Sequence, residues 1–315
     1  MKLVTYRSPQ GSPRVGALVD GRVVDVHDEV MALAVPDDVT AALDRRGLRP
    51  APCGMLRLLQ AGPQAMQRLA AALTNKLNQL SASPAGTACP AERDVELLAP
   101  VPRPGKIVAV GRNYADHAKE TGVAAFEKPR IIAKLPSSVI GPNAQITRPS
   151  GVSKLDFEVE LAVIMGRHAR SVPRDQALNF VAGYTVLNDL SAREFQFDVS
   201  PAQTTFAKSL DGFCPMGPYL VTCDEITDPQ ALALSCHVNG VEMQHGHTAD
   251  MIFTVAHLIE YVSGFMTLEP GDVIATGTPA GVGAFRTPPQ WLQPGDRITM
   301  QIAGIGSMNH LIVAA

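Results

Sequence analysis

The stretch LDFEVELAVIMGR, beginning at Leu155, constrains this chain more than any other: it reads as a buried β-strand, yet it carries Glu158 and Glu160 one residue apart. Side chains alternate along a strand, so positions i and i+2 share a face about 7 Å apart. Both glutamates therefore look one way, while Phe157, Val159 and Leu161 look the other. Two like charges taken out of water together are unfavourable by roughly several kcal/mol unless something positive compensates them. The strand needs a cation or basic side chains from elsewhere in the chain, unless it is a solvent-facing edge whose charges are harmless.

Hard divalent cations such as Mg²⁺ and Mn²⁺ prefer oxygen ligands, and Mg²⁺ keeps positions open for water or substrate. Glu158 and Glu160 supply two such ligands, and Asp189, at the end of the strand-like YTVLND, is the candidate third. Three carboxylates exceed the charge of one divalent ion, so a nearby Lys208 (TTFAKSLDGF) or Arg193 is expected to complete the balance.

Three further segments bear on chemistry. In GRNYADHAKE, His117 and Glu120 lie three apart on a short helix, so the carboxylate can orient the imidazole as a general base for water. Its place directly after a buried strand suits a site, and so short a helix could act as a lid; an exposed helical pair is the plain alternative. In ATGTPAGVGAF, Gly277, Gly281 and Gly283 allow close backbone approach, and Thr278 offers a hydroxyl with neighbouring amides to a substrate carboxylate or carbonyl. A plain glycine-rich turn explains the same residues, and the segment is neither a dinucleotide fingerprint nor a phosphate-binding loop. In SAREFQ, Arg193 and Gln196 follow Asp189 closely enough to reach the same pocket, although surface polarity accounts for them equally well.

Other signals carry less. His245 and His247 in QHGHT alternate like a ligand pair but lack a third partner, Cys214 reads as a buried structural thiol, and no GxSxG elbow is present. The five cysteines are widely spaced and form no CxxC pair, which argues against a disulfide framework or a thiolate zinc site and suits a reducing cytoplasm. A formal charge of −3 offers no broad basic field for nucleic acid. No run of roughly 18 apolar residues and no apolar leader is found, so a membrane protein is not expected.

Along the 315 residues, the first 30 predict a small meander with a hairpin turn at Asp20–Gly21. Gly54 to about Leu80 is helical with a break at Gly62–Pro63, and residues 82–104, ending in Pro100, Pro102 and Pro104, read as a linker. Beyond Gly105 the signals are mostly β: KIVAVG, FEVELAVIMG, VAGYTVLNDLSAR, a hairpin turning at Asn239–Gly240 and another after Asp296, with MIFTVAHLIEYVSGFM the best helix. Short helical turns are read at ADHAKE and PRDQALNF. The result is an α+β, mostly β chain, divided into a small N-terminal α+β domain at 1–95 and a catalytic domain at 105–315.

GRNYADHAKE, KLPSSVIGPN, LDFEVELAVIMGR, GYTVLNDLSAREFQ, AKSLDGFCPMGPYLVT and TLEPGDVIATGTPAGVG together resemble, in order, the fumarylacetoacetate hydrolase family, over roughly residues 105–315. The resemblance implies a mixed β-roll catalytic fold, usually a homodimer, with Mg²⁺ or Mn²⁺ on Glu158, Glu160 and Asp189. It also implies His117 and Glu120 on a mobile lid helix, and an active-site lysine at Lys208. Val110 stands where the family's four-carboxylate members have a further Asp, which points to the three-carboxylate branch. That branch includes acylpyruvate hydrolases, hydroxymuconate-type isomerases, diketo-sugar-acid hydrolases and oxaloacetate decarboxylases. The expected activity is hydrolysis of a C–C bond in a short 2,4-dioxo acid through an enolate, with Arg112, Arg193, Gln196 and Thr278 holding the substrate's polar groups. Isomerisation or decarboxylation would use the same enolate, and a β-rich binding protein with a structural cation is the non-enzymatic alternative.

Overall fold

The computed structural model describes residues 1–51, 54–82, 89–122 and 126–315. Alternation along the acidic stretch organises its core. Leu155, Phe157, Val159, Leu161 and Val163 enter one hydrophobic cluster, whereas Ala162 and Ile164 enter a second on the opposite face. Glu158 and Glu160 share the face of Ala162 and Ile164, beyond the last apolar residue there. The stretch is not one continuous strand, however. Leu155–Asp156 pairs with Ser191–Ala192, and a new ladder, Val159–Met165, starts against Val181–Asn188. Side-chain amides bridge the break: the Glu158 amide donates to Asn188 Oδ1 at 3.2 Å and the Val159 amide to Gln244 Oε1 at 3.0 Å.

Among the described residues, an eleven-stranded sheet runs from Arg22–Asp25 at one edge to Arg130–Lys134 at the other, with Val159–Met165 between Val181–Asn188 and Val273–Ala275. A five-stranded sheet carries the two expected hairpins, Ala233–Val238 with Val241–His247 and Arg297–Ile302 with Gly306–Ala314. The tight turns form where expected, Asp20 and Gly21 at φ 48° and 71° and Asn239 and Gly240 at 52° and 80°, the geometry that matches the twist of paired strands. The fold is α+β and mostly strand, as its sequence pattern indicated.

Helices Gly54–Gln60 and Pro63–Ala82 break at Gly62, whose φ of +80° ends the first and whose proline neighbour opens the second. Leu58, Leu59, Leu69 and Leu73 carry them into the second core. Two short helices, His27–Met31 and Asp37–Asp44, went unanticipated, although each has two acidic residues in its first turn, where they favour the helix dipole. The short helical turn expected at PRDQALNF forms as a 3₁₀ segment, Arg174–Phe180, with Pro173 just before it.

The stretch read as a linker needs correction. Residues 83–88 lie outside the described residues, but Glu96–Leu98 is a strand paired with Lys2–Arg7. Lys2–Arg7 in turn pairs with Cys214–Thr222. The three prolines stop the ladder without separating the N-terminal strands from the sheet that holds the acidic pair. Among the described residues, no helix is long and apolar enough to cross a membrane.

Candidate active site

The break in the acidic stretch brings its carboxylates together with Asp189. The Asp189 amide donates to the Glu158 carbonyl at 2.9 Å, extending the ladder by one residue past Asn188, and Leu187 is opposite Glu160. Glu158, Glu160 and Asp189 each present a carboxylate oxygen within 4.8 Å of the others. All three are buried.

Three cations surround them. The Lys208 ammonium reaches Glu158 Oε2 at 2.9 Å, Asp189 Oδ2 at 2.7 Å and Ser191 Oγ at 2.8 Å. Arg193 spans Asp156 Oδ2 at 2.8 Å and Glu158 Oε1 at 2.5 Å, and its third nitrogen donates to Gln196 Oε1 at 2.8 Å. Lys134, wholly buried, holds Asp189 Oδ1 at 2.6 Å and donates to the carbonyls of Phe213 and Lys208. Lys208 and Arg193 thus both take the balancing role expected of one of them. Asp156 and Lys134 were missed. Asp156 had a signal, because DFEVE places a third acidic residue two positions before Glu158; Lys134 gave none beyond a lysine at the end of an apolar strand.

Four carboxylates (Asp156, Glu158, Glu160, Asp189) face three cations (Lys134, Arg193, Lys208), so one negative charge is left over. It falls on Glu160, which no cation among the described residues touches; its Oε2 accepts the Gly277 amide at 2.8 Å. Burial, then the charges of Asp189 and Glu158, push the Glu160 carboxyl well above the usual range. Burial pushes Glu158 the same way, but Lys208 and Arg193 outweigh it and hold its carboxyl well below that range. Burial also works against the Lys208 ammonium, yet Asp189 and Glu158 raise its pKa. A buried set of oxygen donors with uncompensated negative charge fits a hard divalent cation such as Mg²⁺ or Mn²⁺, which Glu158, Glu160 and Asp189 would hold.

Helix Ala115–Glu120 carries the expected His–Glu pair, with His117 Nδ1 2.7 Å from Glu120 Oε1. A carboxylate only accepts, so Nδ1 carries a proton, and in the neutral ring Nε2 is the nitrogen with the lone pair. The helix is latched to the glycine-rich loop: the Gly281 amide donates to Glu120 Oε2 at 3.0 Å, the Ala280 amide to Asp116 Oδ2 at 3.3 Å, and the Phe285 ring meets the imidazole edge-on at 6.2 Å.

That loop works differently from its sequence-based expectation. Its amides were read as receivers for substrate, but Gly277 serves Glu160, Gly281 serves Glu120, and Gly283, with Ala284, serves Asp156. Gly277 and Gly281 have φ of +100° and +103°, and a Cβ would lie 2.7 Å from Asn113 Cβ and 2.1 Å from the Met243 carbonyl respectively. Thr278 donates its one hydroxyl proton to the Val159 carbonyl at 2.9 Å and accepts from Gln244 Nε2 at 2.7 Å, so its proton is already used inside the protein. Gln244 comes from QHGHT. In that motif the amide, not either histidine, reaches the site: His245 lies 3.4 Å from Glu242, and His247 accepts from the Ala249 amide. Cys214 is buried, and burial pushes its thiol up to about 12, in keeping with a structural role.

A cavity of about 260 Å³ joins these parts, lined by His117, Glu158, Glu160, Asp189, Arg112 and Arg130 among others. Of the expected substrate-binding residues, Arg193, Gln196 and Thr278 also line it, with Arg193 and Thr278 bonded inward as described.

Residues 106–313 match the family described as fumarylacetoacetate (FAA) hydrolase C-terminal. Over 316 aligned residues the chain is 36% identical to oxaloacetate tautomerase fahd2, mitochondrial, of Xenopus laevis, covering 99% of this chain and 90% of that protein. Among solved structures it resembles a fumarylacetoacetate hydrolase from Exiguobacterium antarcticum, with TM-score 0.76, 36% identity and full coverage of both chains. It also resembles a maleylpyruvate hydrolase from Sphingobium sp. SYK-6, with TM-score 0.75, 30% identity and full coverage of both chains.

Proposed function

The chain belongs to the fumarylacetoacetate hydrolase family, and on that premise we propose that it is a divalent-metal-dependent enzyme that forms the enolate of a short 2-oxo acid, with keto–enol tautomerisation as its reaction. One observation carries this reading: a carboxylate cluster one charge short of neutrality shares a cavity with an imidazole oriented by a carboxylate. Similarity to an oxaloacetate tautomerase moves proton transfer ahead of the C–C hydrolysis expected from the sequence.

Mg²⁺ or Mn²⁺ on Glu158, Glu160 and Asp189 would supply Lewis acidity to the 2-oxo group. Glu120, bonded to Nδ1, leaves His117 Nε2 as the base that takes the proton from C3 and returns it to oxygen. The Lys208 ammonium, fixed by Glu158, Asp189 and Ser191, adds a positive charge near the oxygen on which negative charge develops. Phe285 and the latched helix shield the imidazole from bulk water.

Hydrolysis of a 2,4-dioxo acid is the second reading, supported by the two similar structures named as hydrolases and by a His–Glu pair that can equally deprotonate water. The test is to follow enol–keto exchange of oxaloacetate by ultraviolet absorbance, with and without Mg²⁺, alongside pyruvate release from acylpyruvates. Mg²⁺-dependent exchange without pyruvate release supports tautomerisation, and pyruvate release supports hydrolysis. If neither depends on Mg²⁺ or on His117, the enzymatic reading fails and a structural cation site remains.

A further inference from the structure

We infer that Gln244 is a positioning residue for this site: from the five-stranded sheet it clamps the glycine-rich loop in the register where one loop amide fixes Glu160 and another fixes Glu120 behind His117. The inference rests on the metal-dependent function proposed above and names what holds its parts together. Thr278 lines the cavity and Gln244 does not, so Gln244 acts only through its neighbours.

The need for a clamp follows from where the ladder stops. Strand Val273–Ala275 ends opposite Ala162, and beyond it side chains take over much of the pairing. Thr276 gives both its amide and its hydroxyl to the Leu161 carbonyl, at 3.1 and 2.8 Å. Gly277 gives its amide to Glu160 Oε2, and the Thr278 hydroxyl goes to the Val159 carbonyl. The loop is thus laid residue by residue along Leu161, Glu160 and Val159. Val159 separates the two glutamates, so whatever fixes its peptide groups fixes the direction of both.

Gln244, itself buried, closes that arrangement. Its Oε1 accepts from the Val159 amide at 3.0 Å, and its two Nε2 hydrogens go to Thr278 Oγ1 at 2.7 Å and the Pro279 carbonyl at 2.9 Å. Because Thr278 Oγ1 donates to the Val159 carbonyl, the bonds form a ring from Val159 through Gln244 and Thr278 back to Val159. Turned over, the amide would set a donor against the Val159 N–H and an acceptor against the Pro279 carbonyl, so the ring admits one orientation. The rest of the strand fits the loop in the same way. Gly246 leaves room for Pro279, whose Cβ would lie 2.6 Å from an added Cβ, and Arg286 donates to the carbonyls of both Met243 and Gly281. Held at Pro279, the loop carries its Gly281 amide to Glu120 Oε2 at 3.0 Å, and Glu120 holds His117 Nδ1. One buried amide therefore sets both the metal-ligand carboxylate and the base.

The test reads metal affinity and chemistry separately. Gln244→Met keeps the length of the side chain and removes its hydrogen bonds. It is expected to weaken Mn²⁺ binding, by calorimetry without substrate, and to lower kcat for oxaloacetate exchange at saturating Mn²⁺, each by about 10–100-fold, the range for residues that orient metal ligands. Thr278→Val opens the same ring from its other side and should weaken Mn²⁺ binding equally, whereas Thr278→Ser, which keeps the hydroxyl, should retain it. That pair decides the question if Gln244→Met fails to fold. His245→Ala, exposed on the opposite face of the strand, should change neither affinity nor kcat. Variants that lose thermal stability yet bind Mn²⁺ as the wild type does would overturn the inference and leave Gln244 a packing residue. So would weaker Mn²⁺ binding with an unchanged kcat, because the loop would then not reach His117. A wild type that binds Mn²⁺ but exchanges no 2-oxo acid sinks the enolate reading alone, and the Mn²⁺ affinities still decide the clamp. A wild type that binds no Mn²⁺ sinks both.

Discussion

Asp25 and Glu160 are both carboxylates drawn partly or wholly out of water, and their surroundings treat them in opposite ways. Asp25, half-buried at the end of the N-terminal meander's third strand, accepts from Tyr6, from two nitrogens of Arg14 and from the His27 amide. Burial alone would raise its pKa, but Arg14 and Tyr6 outweigh it and bring it down to about 2. Glu160 has one amide, two carboxylate neighbours and no cation in contact, and it is pushed upward. A carboxylate with its own partners braces the fold. One that is buried without a countercharge is a standing loss of stability that a bound cation or a proton relieves, which is the mark of a site kept for function.

The widest separation between the two should come from neutralising each. Glu160→Gln is expected to lower turnover at least ~10³-fold and to weaken Mn²⁺ binding by calorimetry, while the thermal midpoint rises, because an uncompensated buried charge is gone. A lower midpoint would break the contrast. His117→Ala should cost about 10²–10⁴ in kcat, the usual range for a general base, with Mn²⁺ affinity held within a few-fold. A collapse of metal binding in that variant would show that the helix supports the carboxylates rather than the chemistry.

Asp25→Asn should behave inversely: turnover stays at the wild-type level, and stability falls by about 1 kcal/mol in urea unfolding, the scale of a partly exposed ion pair. The smallest effect is its pH dependence. Asp25 has a depressed folded-state pKa, so its contribution is present above the ordinary value of 3.8 and is lost as pH falls through about 2. The difference in urea midpoint between wild type and Asp25→Asn should therefore shrink from pH 5 to pH 2.5. A constant difference would assign the effect to packing instead.

What was legible in the sequence was local. The turns at Asp20–Gly21 and Asn239–Gly240, the Glu158/Glu160 alternation and the three-residue spacing of His117 and Glu120 follow from backbone periods that a few residues reveal. Partners drawn from far along the chain were not legible. Lys134 meets Asp189, and Gln244 bridges Val159 and Thr278, across separations that no local pattern encodes. The glycine loop was recognised but misread, since nothing in ATGTPAGVGAF tells whether its amides face a ligand or the site's own carboxylates.

By itself, the sequence determined that two carboxylates share one face of an apolar strand and therefore require positive charge. Only the tertiary structure decided how that charge is supplied. Among the described residues, Lys134, Arg193 and Lys208 satisfy Asp156, Glu158 and Asp189 but leave Glu160 without a cation in contact. Alternation is a property of neighbours along the chain. Charge balance in a buried site is a sum over groups that only the packing of distant strands brings within a few ångströms.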